Sequence, residues 1–271
     1  MKQMFAVLAL IAVSGLLTGV VFAQDVSTVN GANLRSDGTW QNFDQTKRGP
    51  PTVPKYCKPC LFYGGDTDTS SQDWAAWANE DNTVANAVFT NYVPFVVPKG
   101  KTWTVTALFT NNVTLNGQTG GPGPAKIHPS KGLWSISKGI STGHAGKKVA
   151  SGQGTASFKP TGRDFKNANG DHFEYTLLVK LAKPVKLTAG KYWLTAVPEC
   201  TDSSQSDCQT GFYFNSNSTS RTNKFGPAQP KAMDFANAPT QGLNFANVCT
   251  EQGATPASCA YQSVGVVGTQ K

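Results

Sequence analysis

The sequence carries little charge and lacks the long amphipathic patterns that predict α-helices. Charged residues make up 15% of its 271 residues, and the three histidines are His128, His144 and His172. These histidines are scattered, without the His-x-His spacing of a metal centre on a strand. No G-x-S-x-G element, H-E-x-x-H helix or phosphate-binding loop occurs, so the commonest nucleophile, zinc-protease and nucleotide sites have no support. The 27 glycines instead suit many short strands joined by turns.

The N-terminus has the pattern of a secretory signal peptide. Lys2 precedes an apolar run over residues 5–21, and Val21-Phe22-Ala23 offers a cleavage site. We therefore expect residues 1–23 to be removed and the remainder to be secreted, with the periplasm or the cell surface as alternative destinations. An uncleaved membrane anchor is the other interpretation of this run. After cleavage we expect no association with the membrane.

The rest of the chain divides into an arm and one domain. Residues 24–60 are polar and end in a proline-rich stretch, which indicates an N-terminal arm. Over residues 61–271, short runs rich in Val, Phe, Tyr and Thr recur between turn residues. This pattern predicts an all-β domain: an antiparallel β-sandwich of jelly-roll type with about nine or ten strands and at most one or two short helical turns.

The clearest single strand is "KTWTVTALFTNN", residues 101–112. Its alternation predicts Leu108 on one face and, on the other, Trp103, Val105, Ala107 and Phe109. Two glycine-containing stretches are expected to be turns. "GQG" at residues 152–154 predicts a hairpin tip, and "TAG" at residues 188–190 predicts a connection between two separate strands.

Several of these stretches resemble parts of exported bacterial jelly-roll domains of uncharacterised function. They are "WTVTALFTNN", "LWSISKGI" followed by "KKVASGQGTA", and "LTAGKYWLTAVP". The resemblance covers roughly residues 61–267, and its motifs are structural: turn glycines, core aromatics and strand alternation. It implies an extracellular fold similar in architecture to carbohydrate-binding modules, and it transfers no catalytic residue.

All six cysteines lie beyond the signal peptide, which predicts disulfide bonds in an exported protein. Proximity in sequence suggests three pairs, each closing a short loop: Cys57–Cys60, Cys200–Cys208 and Cys249–Cys259. The "CKPC" spacing at Cys57 also occurs in thiol–disulfide redox motifs. That chemistry needs a thiol activated at a helix N-terminus, whereas this motif follows a proline-rich run and precedes a strand. Structural disulfides are the better interpretation.

Charge is distributed unevenly along a chain whose formal net charge is +8. Residues 61–98 contain five acidic residues and no basic one, whereas residues 99–191 contain fourteen basic and three acidic residues. The lysines are spread mostly singly, as on solvent-exposed faces and strand edges that resist aggregation. Attraction to an anionic polysaccharide or a cell surface is the alternative. We expect no nucleic-acid binding, because clustered arginines interleaved with aromatics are missing.

The acidic residues of "YGGDTDTSSQDWAAWANED", which begins at Tyr63, suggest a calcium site. Calcium takes six to eight oxygen ligands, and the candidate metal ligands here are Asp66, Asp68, Asp73 and Glu80. The spacing is not that of an EF-hand, so any site here would be a calcium loop of another kind. Apart from calcium, we expect no cofactor. The alternatives are a solvated polar turn and, less favoured, a pair of catalytic carboxylates.

Trp74 and Trp77 lie within the same stretch. Ser70 or Ser71 can cap a single helical turn, in which the i, i+3 spacing would place both indoles on one side. The pair then either packs into the core or forms an exposed platform on which a sugar ring stacks. In the second case Trp74 and Trp77 are the ligand-binding residues.

These observations favour a secreted, non-catalytic β-sandwich protein that binds carbohydrate or cell-surface material and is stabilised by calcium. A polysaccharide or cell-surface glycan is the expected partner. The first alternative is an extracellular glycoside hydrolase or polysaccharide lyase, which leaves no recognisable spacing in a sequence because any two acidic residues can serve. The second is a purely structural surface or extracellular protein.

Overall fold

The computed structural model describes residues 60–66, 75–82, 87–114, 129–167, 170–200, 213–218, 224–239, 242–251, 259 and 261–271. Its strands, in chain order, are β1 (Phe62–Tyr63), β2 (Ala75–Ala78), β3 (Glu80–Asn82), β4 (Ala87–Thr114), β5 (Lys131–Lys138), β6 (Lys147–Asn167), β7 (Gly170–Cys200), β8 (Tyr213–Ser218), β9 (Phe235–Ala238), β10 (Leu243–Asn247), β11 (Tyr261–Gln262) and β12 (Val264–Gln270). A helical turn, α1 (Val248–Glu251), follows β10. The all-β prediction is confirmed.

Two long strands, β4 and β7, form the centre of the sheet. They run antiparallel from the pair Val93 and Leu194 to the pair Thr114 and Phe173, with two interruptions of the register. A ribbon of this length exceeds the usual strand of 3–10 residues several-fold, so it cannot stay flat within one domain. It must bend, and the interruptions mark where it does.

The first bend brings two parts of β4 face to face. Phe95 and Trp103 are eight positions apart in the sequence, a distance of about 26 Å along a straight strand. Their ring centroids are nevertheless 6.0 Å apart, with the rings nearly parallel. The register of β4 with β7 shifts between these residues, at Val97 and Thr102. The sheet therefore folds over itself at this position, in agreement with a β-sandwich.

The remaining strands extend this ribbon on both sides. β12 pairs with β4, and β1 pairs with β12 at the edge. On the other side, the C-terminal half of β7 pairs with β5, and its N-terminal half pairs with β6. Apart from the parallel contact of β3 with β7, all pairings among the described strands are antiparallel. No helix in the described residues is long and apolar enough to cross a membrane.

One hydrophobic cluster lies inside the fold and draws on β1, β4, β5, β6, β7 and β12. Phe95 lies at its centre, with ring centroids 5.6 Å from Tyr192 and 6.1 Å from Phe62. The largest fully buried members are Trp103, Tyr192, Phe62, Phe95, Leu108 and Ile136. Each such side chain contributes about 1.5–3 kcal/mol through burial, so this cluster is the main source of stability.

The predicted face of residues 101–112 is correct only in its first half. Trp103 and Val105 lie in the central cluster, as expected, but a β-bulge follows Val105. The bulge shifts the alternation by one residue, which moves every following side chain to the opposite face. Leu108 therefore joins the central cluster, and Phe109 packs against Tyr63 in a second cluster.

The hairpin predicted at residues 152–154 is wrong, because these residues lie inside the continuous strand β6. Of the two glycines, Gly154 serves close packing instead. A Cβ at Gly154 would collide with the carbonyl oxygen of Lys180, and one at Gly152 would lie 3.4 Å from the indole of Trp134. Gly154 thus allows β6 to approach β7, a second use of glycine in strands, whereas Gly152 leaves room for a methyl group.

Two further local predictions are wrong for a related reason. Residues 188–190 do not join two strands but form a bend of β7, where Gly190 pairs with Val97 of β4. The helical turn expected around Trp77 is the strand β2, in which Trp77 pairs with Asn215 of β8. In both cases pairing with a distant strand decides a conformation that the local sequence leaves open.

A buried carboxyl group lies just before β9. Asp234 is buried, and its Oδ1 makes no hydrogen bond. Burial raises the pKa of Asp234 to about 8. Gln229 lies close enough to offset part of this rise, but its side-chain amide is not in hydrogen-bonding geometry. Because a buried charge without a partner is costly, the protonated form of Asp234 is the form that suits the fold.

We expect Gly154→Ala to destabilise the protein by about 1–3 kcal/mol, because the added methyl group must displace the backbone of β7. Gly152→Ala is the matched control, since its methyl group meets only the indole of Trp134. Urea denaturation of both variants measures the difference. Equal effects at the two positions would contradict the close packing of β6 on β7.

We expect the stability of the folded protein to fall as pH rises between about 4, the ordinary carboxyl pKa, and about 8, the pKa of Asp234. In this window the unfolded chain releases a proton that the folded chain retains, so raising the pH favours unfolding. Asp234→Asn mimics the protonated form, and its Tm should exceed that of the wild type by a margin that grows across the window. A margin independent of pH would contradict this, and exposed Glu251→Gln serves as the control.

Candidate functional site

The residues proposed to bind calcium are only partly described by the structure. Asp66 is completely buried, and its Oδ1 accepts a hydrogen bond of 2.6 Å from the hydroxyl of Tyr63. The backbone of Glu80 lies in β3, and Asp68 and Asp73 lie outside the described residues. Within the part of the chain that is described, no group of three or more His, Cys, Asp or Glu can hold a metal. The calcium site stays a prediction.

Asp66 belongs to a buried polar network that joins three strands. Asn111 of β4 donates hydrogen bonds to the hydroxyl groups of Tyr63 and Ser263, at 3.0 and 2.8 Å. Thr176 of β7 in turn donates to the Asn111 side chain at 2.6 Å. Burial, together with the nearby Asp66 carboxylate, raises the pKa of Tyr63 well above its ordinary value. The phenol therefore stays protonated as a donor, and the network fixes β1 and the chain before β12 against the central ribbon.

The two tryptophans proposed to bind sugar lie at the limit of what is described. Trp74 is outside the described residues, and for Trp77 the structure describes the backbone in β2. The sugar platform at these residues remains a prediction.

The cysteine prediction is confirmed for one pair. Cys249 and Cys259 form a disulfide with their Cα atoms 5.5 Å apart. Cys60 and Cys200 are also disulfide-bonded. Their expected partners, Cys57 and Cys208, lie outside the described residues, so these two pairings stay predictions.

A different site emerges on the face of the sheet opposite the central cluster. Ser135 of β5 lies directly across from Thr195 of β7 on one side and Ser151 of β6 on the other. Residues opposite each other in antiparallel strands have Cβ atoms about 4.5–5.5 Å apart, so the three hydroxyls form a row across the strands. They line a cavity of about 400 Å³. We call it the hydroxyl cavity.

Two hydroxyl groups of this cavity have no partner in the protein. Ser135 is 6% exposed and Thr195 is 5% exposed, and the Oγ of Ser135 and Oγ1 of Thr195 make no hydrogen bond. Buried side-chain polar groups are satisfied in the large majority of cases, because leaving one unpaired costs about 1–3 kcal/mol. Two adjacent exceptions in one cavity therefore call for an explanation.

Aromatic and apolar side chains complete the walls. Tyr92 of β4 lines the cavity and rests on Phe245 of β10, with ring centroids 5.1 Å apart. Partial burial raises the pKa of the Tyr92 phenol. Leu133 and Val197, directly opposite each other in β5 and β7, add an apolar patch beside the hydroxyl row. The cavity thus combines an aromatic ring, an apolar patch and neutral polar groups, as ligand sites commonly do.

One carboxyl group lines the cavity, and a second lies next to it. Asp81 of β3 faces the cavity and is opposite Glu199 of β7 in the parallel pairing. Burial, and secondly the charge of Glu199, raise the pKa of Asp81. Glu199 accepts a hydrogen bond of 2.6 Å from Gln153, which also lines the cavity. One basic residue, Lys148, also lines the cavity.

The sequence indicates one feature of this site, the face of β5 on which Ser135 lies. The alternation of β5 predicts Ser135 on the face opposite Trp134 and Ile136, and the structure agrees. Nothing in the sequence indicates that Thr195 and Ser151 are its neighbours, because these pairs depend on the register of three strands. A serine or threonine on an outer strand face is also ordinary, so burial without a partner is visible only in the tertiary structure.

The fold and the cavity of this protein have to be interpreted from its own sequence and structure. No protein-family model, no curated protein and no solved structure matches it. The fold supports the class of all-β antiparallel proteins compatible with a β-sandwich. The jelly-roll topology and the resemblance to exported bacterial domains remain predictions from the sequence.

We expect Thr195→Val to stabilise the free protein by about 1 kcal/mol, because it replaces an unpaired buried hydroxyl with a methyl group of similar size. A thermal unfolding scan should show a Tm higher by about 2–4 °C. Thr176→Val is the matched control: the same change removes a hydroxyl that is hydrogen-bonded to Asn111, and it should lower the Tm. Destabilisation by both substitutions would contradict the absence of a partner for Thr195.

Proposed function

We propose that this protein is a secreted, non-catalytic β-sandwich protein that binds carbohydrate in the hydroxyl cavity. The single observation that carries the proposal is the pair of buried, unpaired hydroxyls of Ser135 and Thr195. A binding site is one of the few places where an unsatisfied group is useful, because a ligand supplies the missing partner. The predicted signal peptide and the confirmed disulfide support an exported protein.

A sugar is the ligand class that these groups suit best. A protein hydroxyl both donates and accepts hydrogen bonds, as does every hydroxyl of a sugar ring. The row of Ser151, Ser135 and Thr195 therefore matches a ligand with several hydroxyls and little charge. Tyr92 and the patch of Leu133 and Val197 offer surfaces for the apolar faces of the same ring.

The proposal moves the expected binding site away from the tryptophans. Trp74 and Trp77 stay candidates for a second sugar contact, and Asp66, Asp68, Asp73 and Glu80 stay candidates for calcium. The burial of Asp66 and its hydrogen bond with Tyr63 support a structural role for that stretch rather than a direct ligand contact.

We expect the full-length secreted chain to be retained on a polysaccharide, and Ser135→Ala and Thr195→Val each to weaken binding about two- to tenfold, the effect of one lost hydrogen bond. A glycan array followed by calorimetry with the bound glycan measures this, with and without calcium. Ser137→Ala is the matched control, since it makes the same change in β5 outside the cavity. Retention on no polymer in either condition would overturn the proposal.

A second candidate function, hydrolysis or elimination at a glycosidic bond, is favoured by one observation. Asp81 lines the cavity with a raised pKa, and Glu199 lies opposite it. Two neighbouring carboxyl groups, one of them with a raised pKa, form the kind of pair that glycosidases use. Asp81→Asn separates the two functions. If the protein is a hydrolase or lyase, the wild type releases product from a bound glycan and the variant does not. If it only binds, neither form releases product.

A further inference from the structure

A second cavity adjoins the hydroxyl cavity. It has a volume of about 520 Å³ and is lined by Lys131, Thr155 and Lys180 among others. We call it the lysine cavity. Gln153 lines both cavities, so they adjoin along the same face of the sheet formed by β5, β6 and β7. A ligand longer than one sugar residue in the hydroxyl cavity would reach the lysine cavity.

The two lysines are placed symmetrically about one strand. Thr155 of β6 lies opposite Lys131 of β5 and opposite Lys180 of β7. Because neighbouring strands are about 4.8 Å apart, the two Cα atoms are separated by about 10 Å. Lysine side chains are long and flexible, so both ammonium groups can reach one point above the hydroxyl of Thr155.

The lysine pair gives this cavity its charge. Both lysines are exposed, and among the described residues neither has an ion-pair partner. The lysine cavity contains no acidic residue, whereas the hydroxyl cavity contains one acidic and one basic residue, Asp81 and Lys148. By their lining residues the hydroxyl cavity is balanced in charge and the lysine cavity is positive, and the Glu199 carboxylate is bound to Gln153 where the two adjoin.

We infer that the ligand is an acidic polysaccharide, whose anionic group binds between Lys131 and Lys180 while a neighbouring neutral sugar residue occupies the hydroxyl cavity. This inference rests on the proposed function and names its ligand class. Two exposed like charges that have no ion-pair partner attract an anion, and the hydroxyl of Thr155 supplies a further donor. The fourteen basic residues among residues 99–191 strengthen the attraction at long range.

The test compares polymers that differ only in charge. Calorimetry with the full-length chain uses two matched pairs: dextran and dextran sulfate, and fully methyl-esterified polygalacturonate and its free acid. We expect each charged polymer to bind more tightly than its neutral counterpart. Lys131→Gln combined with Lys180→Gln should reduce that preference by about two- to thirtyfold, the range of two exposed ion pairs, and should change binding of the neutral polymer much less. The preference should also decline with added salt.

A matched control separates a local site from general attraction. Lys99→Gln combined with Lys101→Gln removes the same charge from two exposed positions at the bend of β4, outside both cavities. It should leave the preference intact. Equal losses in the two double variants would overturn the inference, because the effect would then follow net charge.

The remaining outcomes distinguish the inference from the proposed function. Equal binding of charged and neutral polymers, still weakened by Ser135→Ala, would overturn the inference and leave the proposed function standing. Failure to bind any of the four polymers would overturn the inference, and it would overturn the proposed function as well if the glycan array also shows no retention. Double-stranded DNA that competes as strongly as the charged polymers, through the same two lysines, would overturn the choice of a polysaccharide. A preference for only one charged polymer supports the inference and identifies sulfate or carboxylate as the bound group.

Discussion

The antiparallel pairing of β4 with β7 is the constraint on which the rest of the structure depends. It holds residues from 93 to 114 against residues from 194 to 173, and every major sheet neighbour pairs with one of these two strands. A ribbon this long closes around a core only by bending, and both strands bend together where the register shifts. The stack of Phe95 on Trp103 shows how completely the two halves meet. Burial of these aromatics stabilises the bend, and the bend in turn makes the burial possible.

The same ribbon places the hydroxyl cavity. Once Leu194 and Ala196 face the core, the pleat of β7 turns Thr195 to the opposite face, and the register sets Ser135 and then Ser151 beside it. In the network of Asn111, Tyr63 and Thr176, by comparison, buried polar side chains satisfy one another. The contrast between a satisfied network and two unpaired hydroxyls in one cavity is the physical basis of the proposed function.

The glycines of β6 and β7 show the limit of what a local sequence pattern predicts about conformation. Gly152, Gly154 and Gly190 each have the sequence context of a turn. Yet the first two lie inside β6, where Gly154 allows close strand packing, and the third lies where β7 bends. The β-bulge after Val105 is a similar case, because no residue of that stretch predicts a bulge. In each case the energy that decides the conformation comes from a strand distant in sequence, so a local pattern cannot contain it.

The sequence by itself determined the all-β class, the disulfide between Cys249 and Cys259, the core positions of Trp103 and Val105, and the outward face of Ser135. These follow from alternation, composition and cysteine spacing, which act over a few residues. Only the tertiary structure decided that Thr195 and Ser151 flank Ser135, and that Lys131 and Lys180 flank Thr155. The physical reason is register: a shift of one residue along a strand exchanges its two faces, and only the packing of the whole core selects one alignment.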